Sequence, residues 1–252
     1  MNRLSDRVAL ITGGESGIGL ETARLFVAEG ARVHLAGIDE PRLRAAGEEL
    51  GASAATSVAD VTDGEQVRAA VEAAVARFGR LDVVFSNAGI SGAIGVPVTE
   101  YPDDVFARTL AVHVLGAFHV LKYALPVMND GGSVIITSSV VGLTGAAGAS
   151  GYVTAKHAQV GLMRTVAKEV AARRIRVNTI HPGPTDTAFQ QAIEVAATGA
   201  PAEKAAEIFD QMIPLRRHAT PAEIARSVLY LASDDSSFTT GATLAVDGGM
   251  SS

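Results

Sequence analysis

Val8-Ala9-Leu10-Ile11-Thr12-Gly13-Gly14-Glu15-Ser16-Gly17-Ile18-Gly19 joins a short apolar run to an amphipathic stretch that continues to Ala28. The run has the length and residue types of a strand buried on both faces, and the stretch has the period of a helix. Between them Gly13 permits a sharp turn. Gly17 leaves no Cβ between the backbone and a pyrophosphate, and Gly19 lets the helix approach the strand. A helix N-terminus placed there offers free N–H groups and the positive end of its dipole to phosphate. The spacing is GxxxGxG and differs from the GxGxxG fingerprint. Glycines also serve in any tight loop between strand and helix, but the strand before and the helix after favour nucleotide binding.

Outward from this turn the same alternation repeats. Apolar runs stand at Val8–Ile11, Val33–Ala36, Ala52–Val58, Val83–Phe85, Val134–Ile136, Val177–Ile180 and Leu244–Val246. Helical patterns lie between them at Ile18–Ala28, Glu65–Phe78, Val105–Val127, Tyr152–Ala172 and Pro221–Leu231. The last opens Thr220-Pro221-Ala222-Glu223, a capping box with proline at the first helical position. Strand and helix in alternation predict an α/β fold: a doubly wound parallel sheet of about seven strands, Rossmann-type, with helices on both faces. No linker divides the chain, so residues 1–252 read as a single domain. The least regular segment is Pro182–Pro214. It holds two short helical patterns broken at Gly199-Ala200-Pro201, and predicts a substrate-loop insertion at about 187–215.

Composition removes several function classes. The 252 residues include no cysteine, which excludes disulfides, a thiolate nucleophile and cysteine-ligated metal. A net charge of −6 argues against nucleic acid or an anionic membrane as main partner. No stretch approaches 18 consecutive apolar residues and Met1 to Val8 carries no signal pattern, so neither a membrane span nor export is expected, and a cytoplasmic location is. The six histidines are scattered, and none joins an Asp/Glu cluster with metal spacing, so no metal site is expected.

An acid that holds the adenosine ribose belongs near the end of the second strand. Asp39 lies 20 residues beyond Gly19, where that acid is expected, but it also suits the N-cap of a helix beginning at Pro41. No Lys or Arg stands at positions 15, 16, 37 or 38 to receive a 2′-phosphate, and Glu15 would repel one. The charges therefore favour NAD over NADP. Farther along, Tyr152-Val153-Thr154-Ala155-Lys156 places a phenol and an ammonium one helical turn apart on one face. A nearby cation favours phenolate, and predicts a tyrosine able to act as a base below its ordinary value near 10. The run Ser133–Thr137 ends in Ser138-Ser139, at the edge where an open parallel sheet holds its ligands.

Together these motifs resemble the short-chain dehydrogenase/reductase family, in its single-domain Rossmann-type branch, from Arg7 to Gly249. The resemblance rests on Thr12-Gly13 to Gly17-Ile18-Gly19, Asp60-Val61, Ser86-Asn87-Ala88-Gly89, Tyr152 with Lys156, Ser139 at 13 residues before Tyr152, Asn178, Pro182-Gly183 with Thr187, and Thr240-Gly241 followed by Val246-Asp247-Gly248-Gly249. It implies an NAD(P)-dependent oxidoreductase acting on a secondary alcohol or ketone. Cofactor contacts are implied for Thr12, Gly13, Ser16, Gly17, Ile18, Gly19, Asp60, Val61, Asn87, Ala88, Gly89, Tyr152, Lys156, Pro182, Gly183, Thr185 and Thr187, alongside Asp39. Catalysis is implied for Ser139, which steadies the substrate oxygen, Tyr152, which moves the proton, and Lys156, which lowers the tyrosine pKa and binds the nicotinamide ribose. A homotetramer or homodimer is implied as well.

One position departs from the family pattern. Its fourth catalytic residue is an asparagine, and here the stretch reads His113-Val114-Leu115-Gly116. The family residue stabilises a helix irregularity whose freed carbonyl holds a water beside the lysine, and His113 is expected to preserve that carbonyl. A non-catalytic nucleotide sensor and a lyase-type member are the alternatives on this scaffold. Such relatives commonly lose the glycine turn, the tyrosine or the lysine, all retained here. The expected substrate walls, Ser91–Val98, Val140–Ser150 and Ala188–Leu215, are mostly small and apolar and suggest a neutral, moderately apolar substrate.

Overall fold

The computed structural model describes residues 2–252. Seven strands form one sheet: β1 (Val8–Thr12), β2 (Arg32–Gly37), β3 (Ala54–Val58), β4 (Val83–Ser86), β5 (Ser133–Thr137), β6 (Arg176–Pro182) and β7 (Thr243–Val246). Their order is β3-β2-β1-β4-β5-β6-β7 and every pairing is parallel. The chain reverses its direction of travel across the sheet between β1 and β4, and that switch opens a crevice at the strand C-termini.

Alternation along the strands supplies two cores. Leu10, Val84, Val134, Ile136 and Val177 face one side, packing with Val67, Val120, Leu121 and Met163. Ala9, Ile11, Val83, Phe85, Ile135 and Ile180 face the other, packing with Phe26, Leu43, Ile224 and Leu229. These residues are carried by α1 (Gly17–Ala28), α2 (Glu40–Leu50), α3 (Gly64–Phe78), α5 (Gly116–Ala124), α6 (Ser150–Glu169) and α9 (Pro221–Ala232), while α4 (Asp103–Leu110), α7 (Ala188–Thr198) and α8 (Ala202–Met212) complete the helices. The capping box of α9 is present, with Thr220 and Glu223 bonding reciprocally. At the opposite end of the sheet, the buried Asp82 carboxylate accepts from Arg80, Asn129 and the Val8 amide, fixing the start of β1 against β4.

Some boundaries differ from the sequence reading. The third strand begins at Ala54, because Gly51–Ser53 forms a 3₁₀ turn. The helix bearing Tyr152 begins two residues earlier, at Ser150. The stretch Val105–Val127 is a continuous helix from Asp103 to Ala124 that contains a π-helical turn at Ala111–Leu115. Those 22 residues contain an 18-residue window of mean hydropathy 1.3, long and apolar enough by composition to cross a membrane. Ala117, Val120, Leu121 and Ala124 instead pack into the core under the sheet. In the insertion, Gly199 ends α7 in the left-handed conformation and Pro201 caps α8, so the predicted break is a helix–helix corner.

Candidate active site

A cavity of about 820 Å³ lies along the strand C-termini, within the size range of a bound cofactor with substrate. One half is built from backbone. Gly13 turns the chain at φ 63°, and a Cβ there would stand 3.0 Å from the Ala88 Cα. A Cβ on Gly19 would lie 2.0 Å from the Gly13 carbonyl oxygen, so this helix reaches its strand only as glycine. The Thr12 hydroxyl accepts from the amides of Asn87 (3.0 Å) and Ala88 (3.2 Å), locking the β1 turn to the β4 turn. Asn87 in turn donates to the Gly13 carbonyl and accepts from Thr137 Oγ1. Ser16 caps α1 without a side-chain hydrogen bond, and no acidic residue stands in the first turn. The first amides of α1 therefore face the cavity with no intrahelical partner, which fits a diphosphate.

Most of the residues picked out in the sequence meet here. Gly13, Ser16, Gly17, Ile18, Asp60, Val61, Asn87, Ala88, Gly89, His113, Ser139, Tyr152, Lys156, Pro182, Gly183, Thr185 and Thr187 all line the cavity. Thr12 and Gly19 act from behind it, through the contacts just described. Asp39 does not join them. Its carboxylate caps α2 by accepting from the Arg42 amide (3.1 Å) and pairs with the Arg42 guanidinium (3.2 Å). The capping reading is the one the structure adopts, and Asp39 is corrected from a cofactor contact to a helix cap.

The other half is built from side chains. Tyr152 and Lys156 project from the first turns of α6, with the Lys156 Nζ 5.3 Å from the centre of the phenol ring. That ammonium donates to the Thr137 carbonyl (2.7 Å). Burial pushes Lys156 down to about 7 and pushes Tyr152 up to about 12, the latter opposed by the nearby Ser139 hydroxyl. The expected lowering of the tyrosine by the lysine is therefore absent from this geometry. The cation addresses the ring face and a backbone carbonyl, and loss of hydration dominates both groups. Ser139 ends the β5 turn, accepting from the Val141 amide. Ser138, its neighbour, is buried and donates to the Lys156 carbonyl, a structural task.

His113 sits in the π-helical turn, edge-on to Tyr152 at 5.4 Å between ring centres. Its Nε2 lies 2.7 Å from the Ile90 carbonyl, and its Nδ1 is buried without a partner. Burial, reinforced by the charge of Lys156, pushes the imidazole down to about 3, so it is neutral at ordinary pH. The His113 carbonyl is not left free as expected: it accepts from the Gly116 amide within the turn and from Gln159 Nε2 at 3.0 Å. Gln159 stands one turn beyond Lys156 on α6.

Three contributors escaped the sequence reading: Thr137, Gln159 and His181. His181 is fully buried and donates from Nδ1 to the Ser139 carbonyl (2.7 Å), holding the serine turn in place. Nothing local in the sequence separates it from the other histidines. Thr187 is half-engaged already, accepting from the Gln190 amide as the cap of α7 and donating to the Thr185 carbonyl.

A family model described as enoyl-(acyl carrier protein) reductase matches residues 13–251. The chain is 39% identical to levodione reductase of Leifsonia aquatica, over 99% of this chain and 96% of that one. It is 36% identical to cyclohexanol dehydrogenase of an Acinetobacter species, over 100% and 97%. The crystal structure of levodione reductase superposes with a TM-score of 0.94 at 38% identity, covering 98% of each chain. That of an NAD⁺-bound xylitol dehydrogenase gives 0.91 at 35% identity, covering 98% and 99%. A parallel sheet with a glycine cradle at its switch point and a Tyr–Lys pair beside it defines a nicotinamide-dependent oxidoreductase. The chain belongs to the short-chain dehydrogenase/reductase family.

Proposed function

We propose that the protein is an NAD-dependent dehydrogenase of small, neutral, apolar secondary alcohols, able to run in reverse on the ketones. The observation that carries this reading is the meeting of Ser139, Tyr152 and Lys156 in the same cavity as the glycine cradle. When bound, the nicotinamide supplies the hydride acceptor for oxidation and the donor for reduction. Ser139 donates a hydrogen bond to the substrate oxygen. Tyr152 takes the hydroxyl proton in oxidation and returns it in reduction. Lys156, braced by the Thr137 carbonyl, supplies positive charge beside the phenol as phenolate forms.

The substrate class follows from the walls. Ile94, Val141, Phe189, Ile193, Phe209 and Met212 line the outer part of the cavity and offer no charge to a substrate. The relative named for cyclohexanol acts on a six-membered ring alcohol, a shape these walls suit. Leu115 and Phe118 stay exposed on the helix Asp103–Ala124, and we assign that face to a homodimer or homotetramer contact.

The test is cyclohexanol oxidation with NAD⁺, followed at the reduced nicotinamide absorbance. Tyr152→Phe should keep cofactor affinity and lose turnover by about 10²–10⁴-fold. Near-normal turnover in that variant would refute the assigned acid/base.

A further inference from the structure

Glu15 reaches from the glycine turn to the C-terminal end of β2. Its carboxyl oxygens lie 2.1 and 2.5 Å from where a Cβ on Gly37 would stand. Gly37 is an ordinary strand residue, so what a side chain there would meet is the movable Glu15 carboxyl and not a backbone constraint. The carboxyl of Glu15 fills the volume in which a side chain at the end of β2 would begin. In a sheet of this kind that is where an acid meets the adenosine ribose.

Two further observations bear on this carboxyl. Its Oε2 is buried and has no hydrogen-bond partner among the described residues. A buried carboxylate oxygen left unpaired is costly, so this carboxyl gains from any rearrangement that brings a donor to it. Glu15, Gly37 and Ile38 line the cavity, whereas Asp39 does not and is tied to Arg42. The other carboxylate among the lining residues is Asp60, and the lining cations, Arg108 and Lys156, stand on α4 and α6.

We propose that Glu15 accepts the vicinal hydroxyls of the adenosine ribose and thereby selects NAD over NADP, performing from the glycine turn the task expected of a side chain at the end of β2. This rests on the dinucleotide-binding reading above. Two ribose hydroxyls donate to the carboxylate. A 2′-phosphate removes one donor and sets a second anion against Glu15, with no cation at positions 15, 16, 37 or 38 to offset it.

The test is calorimetric binding of ADP-ribose and 2′-phospho-ADP-ribose, which carry no nicotinamide and need no turnover. The wild-type protein should prefer ADP-ribose by about tenfold or more. Glu15→Gln should bring the two within about threefold of each other, at unchanged Tm. The exchange Glu15→Gly with Gly37→Asp should restore the preference, since it returns one carboxylate to the same place. A wild-type protein without the preference, a Glu15→Gln variant that keeps it, or an exchange that leaves it lost overturns the assignment. Selective ADP-ribose binding with no oxidation of any secondary alcohol would sink the dehydrogenase reading and leave this one standing. Equal use of NAD and NADP in a working dehydrogenase would do the reverse.

Discussion

The two halves of the cavity are built by different means. The phosphate half is backbone: a glycine turn, the open first turn of α1, and Thr12 and Asn87 bonding main chain to main chain. Its shape is set by the sheet. The other half is side chain: Ser139, Tyr152 and Lys156 at the end of β5 and on α6, with substrate walls from α7 and α8, which lie outside the sheet. These two helices are fastened by His218, whose Nε2 meets Glu194 at 2.5 Å and whose Nδ1 meets Asp210 at 2.8 Å. Chemistry common to many substrates sits on the sheet and on α6, which packs against it. The part that chooses a substrate sits on elements held by a few polar contacts, which a sequence can change without disturbing the sheet.

The largest expected effect concerns the group at the border of the halves. With Tyr152 pushed up to about 12 by burial, the phenol is protonated through the ordinary range. Alcohol oxidation needs the deprotonated form, so its kcat/KM should climb about tenfold per pH unit until Lys156, pushed down to about 7, loses the charge that supports phenolate, and should level above that. Ketone reduction uses the proton already in place and should not show that climb. An oxidation profile that climbs unbroken to pH 10 would show that the Lys156 charge is not needed.

Gly19→Ala strikes the backbone half alone. Its Cβ would meet the Gly13 carbonyl at 2.0 Å, forcing α1 away from β1. A displacement of that size should weaken NAD⁺ binding about a hundredfold, measured by titration. Retained affinity would show that the turn adapts.

On the other half, His218→Gln should raise KM for the alcohol about fivefold, the worth of one hydrogen bond, and leave NAD⁺ affinity alone. Burial would lower the His218 pKa, but its hydrogen bonds with Glu194 and Asp210 outweigh that and hold it above the ordinary histidine value. The sign follows. The fastening is complete below the unfolded value near 6.5 and is lost as pH rises through the folded one. Wild-type KM should therefore rise over that interval and the variant's should not. The smallest effect belongs to Asp39→Ala, which removes a helix cap worth about 1 kcal/mol. It should lower Tm by about 2–4 °C without moving cofactor affinity, in contrast to Glu15.

What the sequence discloses follows the same division. The strands, the glycine turn and the Tyr152–Lys156 spacing are local patterns, so the sheet and the reaction class can be read from them. Asp39 was ambiguous because a helix cap and a ribose ligand call for the same residue type at the same place. The resting place of the Glu15 carboxyl depends on how the turn folds over β2, and no spacing rule encodes that. The same holds for Gln159, which finds the His113 carbonyl only because two helices cross, and for His181, placed under Ser139 by strand pairing.

The π-helical turn at Ala111–Leu115 has a further consequence. The turn takes up one residue more than an α-helical turn, with the Gly116 amide reaching back to the Ala111 carbonyl. Deleting one residue inside it would return the rod to a regular α-helix and leave Val120, Leu121 and Ala124 facing the sheet. The same deletion one turn farther along, in regular helix, would swing everything after it by about 100° and unseat those side chains.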